Sequence, residues 1–130
     1  MRVEEIAGTR VLFIDTDARP ISTNEDTLNL ISSAWAAHVD LVVVPAHRLD
    51  PRFFQLESLF AGDVLQKTVN YNLQLAVIGD INPYLAKSQA LRDFVWESNR
   101  GNHVWFVTDE AALEKKLAPR HPAAETDNGT

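Results

Sequence analysis

Residues 53–80, FFQLESLFAGDVLQKTVNYNLQLAVIGD, decide the fold. Apolar side chains recur every three or four positions at Phe53, Leu56, Phe60 and Val64, with a second row at Phe54, Ala61 and Leu65, which predicts a long amphipathic helix. Arg52, Gln55, Asp63, Gln66 and Lys67 make its polar face. Asp50 stands at the N-cap position and Pro51 at the first helical position, where a missing N–H costs nothing. A mid-helix glycine costs about 1 kcal/mol relative to alanine, so Gly62 predicts a close approach of this helix to a neighbouring strand. The stretch closes with an apolar run, Leu75, Ala76, Val77 and Ile78, stopped by Gly79 and Asp80. Runs without alternation belong to strands covered on both faces, as in parallel sheets whose crossovers are helices.

Outward from this unit, residues 41–44 and 104–107 are further continuous apolar runs and predict further buried strands. Residues 3–6 and 10–14 predict two short strands around a turn at Gly8 and Thr9, with Glu4 and Glu5 interrupting the alternation of the first. Ser22 precedes Glu25 at the capping-box spacing, and Leu28, Ile31 and Trp35 predict one face of a first helix ending near His38. Downstream, Asn82 and Pro83 mark a turn, and Ser88 opens a helix with Leu91, Phe94 and Val95 inward. Asn99, Arg100 and Gly101 form its stop, the glycine free to take positive φ. Thr108 or Asp109 caps a final helix that carries Leu113 and Leu117 on one face and ends at Pro119.

The expected architecture is therefore α/β: a single mostly parallel sheet with an N-terminal antiparallel hairpin, in the order ββαβαβαβα, with right-handed crossovers. Residues 1–118 are expected to form one domain, and residues 119–130, polar and core-poor, a disordered tail.

With 130 residues and 45% hydrophobic content, the chain is large enough to bury roughly two thirds of its unfolded surface. The absence of cysteine excludes disulfides, a thiolate nucleophile and cysteine zinc sites. A formal charge of −6 argues against nucleic acid, and equally against an anionic membrane surface, as the partner. No apolar run approaches the roughly 18 residues of a membrane span and the N-terminus lacks a signal-peptide core, so a cytoplasmic chain is expected. His38, His47, His103 and His121 have no spacing that places two on one helical face, and the five glycines are scattered. Neither a metal site nor a phosphate loop, and hence no cofactor, is expected from them.

Four polar residues have no evident packing role: Arg48, Asp80, Glu97 and Asn99 are the candidate binding patch, with Arg48 a forked donor for a carboxylate or phosphate. The plainer reading makes Glu97, Ser98 and Asn99 a helix stop and pairs Arg48 with Glu97 or another acid. Asp15 and Asp17 after one strand and Asp80 after another imitate the carboxylate cluster of a magnesium-dependent phosphotransferase, against the simpler reading as turn residues. Trp35 and Trp105 fit core positions, whereas Trp96 lies just outside its helix stripe and is a candidate contact for a partner or a homodimer. The leading expectation is a regulatory module acting through protein contacts. The alternative is a small-ligand binder or magnesium-dependent phosphohydrolase-type enzyme at the strand ends, using Arg48, Asp80 and Asn99.

From Val43 onward the sequence resembles a bacterial family known as domain of unknown function 4180. The residues carrying the likeness are Pro45, Arg48, Leu49, Phe53 and Phe54, then Ala61, Gly62, Leu65, Gln66, Lys67, Asn70 and Tyr71. It continues through Ala76, Gly79, Asp80, Ser88, Leu91, Phe94, Glu97, Ser98, Asn99 and Gly101 to Phe106. The resemblance implies no activity, cofactor or site. The chain departs from that pattern at Leu59, where glycine is common, at Asp63, where glutamate stands, and at Asn72, where a basic residue stands. The element order also resembles anti-sigma-factor antagonist (STAS) domains, small regulators that bind a partner kinase. Those carry a phosphorylatable serine or threonine where this chain has Asp50, Pro51 and Arg52, with Ser58 two turns further on.

Overall fold

Ala7 and Gly8 both take positive φ, 50° and 83°, the backbone of a type I′ turn whose twist suits a two-residue hairpin. In the computed structural model, which describes residues 1–120, this turn joins β1 (Arg2–Ile6) to β2 (Thr9–Phe13). Three further strands, β3 (Leu41–Pro45), β4 (Gln74–Ile78) and β5 (Val104–Val107), complete one sheet in the order β1-β2-β3-β4-β5. β1 runs antiparallel to β2 and every other pairing is parallel. β4 is thus an interior strand, with Val43 opposite Ala76 on one side and Trp105 opposite Ala76 on the other.

Because spatial order repeats chain order, right-handed crossovers place α1 (Asn24–Ala36), α2 (Phe60–Asn70) and α4 (Gln89–Arg100) on the same face. There Leu12, Val42, Val44, Leu75 and Val77 pack against Leu30, Phe53, Phe60 and Leu91. The opposite face, with Val11, Leu41, Val43, Ala76 and Trp105, is covered by Leu113 and Leu117 of α5 (Glu110–Leu117). Two covered faces are the reason the central strands read as unbroken apolar runs.

The long helix expected from residue 53 is broken. α2 starts only at Phe60, and the residues before it form two tight 3₁₀ turns, Pro51–Phe54 and Leu56–Ser58. Leu59 takes φ +68°, a left-handed conformation in which no right-handed helix continues. The Ser58 hydroxyl holds the corner, donating to the Arg52 carbonyl at 2.7 Å and accepting from the Phe60 N–H at 3.2 Å. Asp50 does cap, but it caps the first 3₁₀ turn, accepting from the Arg52 N–H at 2.9 Å. The apolar spacing correctly marks burial: Phe53 is 1% exposed, with the rings of Phe54 and Phe60 edge-on to it. Gly62 is exposed, and a Cβ added there would meet nothing within 4 Å, so it makes no close approach.

Other boundaries move by a residue or two. The box that opens α1 is Thr23 with Asp26, one residue later than expected. The inward face of α1 is Thr27, Leu30, Ile31 and Ala34; Leu28 is exposed and Trp35 is 64% exposed, so Trp35 is not a core residue. Asn82 begins a single helical turn, α3 (Asn82–Leu85), and Ser88 caps α4 as expected. Gly101 is extended, at φ −99° and ψ −165°, with no positive φ. Pro119 and Arg120 belong to a 3₁₀ turn, Ala118–Arg120, and the rest of the expected tail lies outside the described residues. Among the described residues, no helix is long and apolar enough to cross a membrane.

Candidate functional site

Arg48 follows β3, and its guanidinium turns toward the loop after β2, donating to the carbonyls of Asp15 and Arg19, the latter at 3.0 Å. Among the described residues it pairs with no acid. His47 reaches the Thr16 carbonyl at 2.9 Å, and the backbones of Ile21 and Leu49 bridge, so residues 15–21 are tied down along their length. Arg48 and this loop line a cavity of about 260 Å³ together with Asp26, Asn29 and Ser33 of α1. Asp26 is the anchor of that corner. It accepts from the backbone N–H groups of Ser22 and Thr23 and from Arg19, and the Ser22 bond foremost holds its carboxyl below the usual range, with burial opposing.

The other expected site residues do not join Arg48 there. Asp80 accepts the Asn82 N–H at 2.9 Å and so fixes its own turn. Asn99 donates to the Phe106 carbonyl at 3.1 Å and accepts the Phe106 N–H at 2.7 Å, occupying both outward backbone groups of one residue on the border strand β5. Glu97 is exposed on α4. None of the three lines the Arg48 cavity. β2 and β4 are two strand spacings apart, about 10 Å, so Asp15 and Asp80 end strands that do not touch. Among the described residues, no three carboxylate or imidazole groups gather where they could hold a metal.

At the other end of the sheet, a polar cavity of about 420 Å³ is lined by Asp40, Asn72, Gln74, Asn102 and His103. Asp63 lies in the first turn of α2 and Asn72 just past its other end, a separation on the order of 10 Å along the helix, so within one chain they do not act on a common group. Asn72 is left-handed, φ 55°, a conformation that asparagine tolerates better than most residues.

The feature missed by periodicity is an apolar groove on the outside of α1. Leu28, Ile31, Ser32 and Trp35, spaced i, i+3, i+4 and i+7, line it with Tyr71 from the end of α2, and it measures about 490 Å³. Leu28, Trp35 and Tyr71 are all exposed, whereas Ile31 is buried. The signal was present in the sequence, because Thr27, Leu30, Ile31 and Ala34 form a competing row with the same period. Trp96 is also exposed, at 61%, and carries the Arg100 guanidinium 4.5 Å above its ring.

Residues 6–117 match the family model described as Domain of unknown function (DUF4180). The chain belongs to this family. No curated protein and no solved structure gives a significant match. Of the DUF4180 residues noted in the sequence, Asn99, Asp80, Arg48 and Ser88 bind backbone groups that hold strands, turns and helix starts in place. Leu59, one of the departures from the resembling pattern, is the left-handed residue of this fold.

Proposed function

We propose that this DUF4180 member is a non-enzymatic regulatory module of the bacterial cytoplasm, acting through contacts with a partner protein. The observation that carries the reading is the outer groove of α1: two aromatic rings, Trp35 and Tyr71, and the Leu28 side chain stand exposed along it, where an isolated folded chain has no use for them. Trp and Tyr are the residues that concentrate binding energy at protein interfaces, each worth about 2 kcal/mol or more when buried at a contact centre. The polar residues that sequence alone singles out, Arg48 and Asn99, are engaged with backbone groups, which favours a contact module over a ligand site converging on them. The STAS-like element order agrees with a regulatory role, as an analogy of topology only.

The test is capture of partners on immobilised protein, comparing wild type with Leu28→Ser/Trp35→Ser and with Trp96→Ser. Loss of the same partner with the α1 double variant and retention with Trp96→Ser supports the reading. Equal capture by all three removes the groove from the contact surface.

A further inference from the structure

The two borders of the sheet are finished differently. At β5 the outward N–H and C=O of Phe106 are both taken by Asn99 of α4. Among the described residues, nothing equivalent covers β1. Ile6 and Thr9 close the two-residue turn as a hydrogen-bonded pair, so Ile6, Glu4 and Arg2 face β2, and the N–H and C=O groups of Val3 and Glu5 point away from the sheet. Among the described residues, no backbone or side-chain hydrogen bond reaches those groups. Residues 2–5 are exposed throughout. Such a border strand is a template for another strand.

We propose that β1 is the contact through which two copies of this chain pair, antiparallel about Val3, into one continuous ten-stranded sheet. The charges choose both occupant and register. With the two-fold at Glu4, like carboxylates stand directly opposite; with it at Glu5, they do so again. Centred on Val3, each Arg2 stands opposite the partner's Glu4, and no like charges face one another directly. Arg2 and Glu4 already form an ion pair along the strand on the α5 face, so the second copy completes a ring of four alternating charges. Arg2 keeps its position there through Glu110 at 2.8 Å and through the Phe13 ring, 4.1 Å beneath its guanidinium. Because the pairing is isologous and Asn99 occupies the far border, assembly stops at two copies. This inference does not depend on the α1 groove.

Sedimentation over a concentration series, with amide hydrogen exchange, tests it. Wild type is expected to approach twice the 14.6 kDa chain mass, with slowed exchange at Val3 and Glu5 on association. Glu4→Arg, on an exposed side chain, sets like charges opposite at two symmetric positions and is expected to weaken the dimer roughly tenfold. The exchanged pair Arg2→Glu/Glu4→Arg should restore most of that loss. Val3→Pro removes the central outward donor without touching the β1–β2 ladder and should abolish pairing. A chain that stays monomeric at millimolar concentration overturns the proposal. So does a dimer whose Val3 and Glu5 amides exchange as fast as in the monomer, or one that Glu4→Arg leaves unchanged.

Discussion

Trp105 and Trp35 both look like core residues in the sequence, and the fold treats them in opposite ways. Trp105, in β5, is 2% exposed; its indole N–H donates to the Gly101 carbonyl at 2.7 Å, and the Lys116 ammonium lies 5.0 Å from the ring centre. Lys116 in turn donates to the Asn99 carbonyl, and Asn99 brackets Phe106. At this corner every side chain named completes a neighbour's hydrogen bonding or packing. Trp35 lies on the outer flank of α1, beside Leu28 and Tyr71, with most of its ring in solvent. The first region stabilises the chain; the second contributes little to it and is free to contribute to something else.

The largest effect is expected at Phe53, whose ring meets Phe54, Phe60 and Phe106 in the interior. Phe53→Ala is expected to cost about 3–5 kcal/mol in urea unfolding; a loss below about 1 kcal/mol would mean this side is not the core. Asn99→Ala leaves the Phe106 N–H and C=O without their partner and should cost about 1–3 kcal/mol. At the junction leading to α2, Leu59 is 69% exposed and left-handed, so Leu59→Gly removes backbone strain at no packing cost. It is expected to raise stability by about 1 kcal/mol, and a drop in melting temperature would mean that leucine bears no backbone strain there.

Elsewhere, on α1, the effects are smaller. Asp26, with its carboxyl held below the normal range in the folded chain, contributes stability above the carboxyl's unfolded value and loses it as pH falls through its folded value. Wild type and Asp26→Asn should therefore differ at neutral pH and converge on acidification below about pH 4. A gap that stays constant down to pH 2 would contradict the hydrogen bonds from Ser22 and Thr23. Smallest of all, Trp35→Ser should change folding stability by no more than about 0.5 kcal/mol. A cost like that of a buried tryptophan would place Trp35 in the interior and erase the contrast.

Much of the architecture was legible because it rests on local patterns. The runs at Leu41, Leu75 and Val104, the Ser88 and Asp109 caps and the hairpin turn all fall within a residue or two of their expected places. The break at Leu59 was not legible from the apolar spacing, since 3₁₀ turns can keep Phe53 and Phe54 inward while abandoning the helix axis. Burial of Trp35 was misjudged because two rows on α1 share one period, and only the position of α2 beside it decides which row meets the sheet. The roles of the polar patch were hidden for a similar reason: Arg48 and Asn99 bind backbone groups of residues far away in the chain, while Asp80 binds only the Asn82 N–H of its own turn.

What the chain alone determined is the alternation of buried strands and helices, because periodicity and capping act over a few residues and leave direct marks in the order of side chains. The tertiary structure alone decided which apolar row faces inward, which polar groups meet, and which border of the sheet is closed. Those depend on contacts between residues far apart in sequence, which no local pattern encodes.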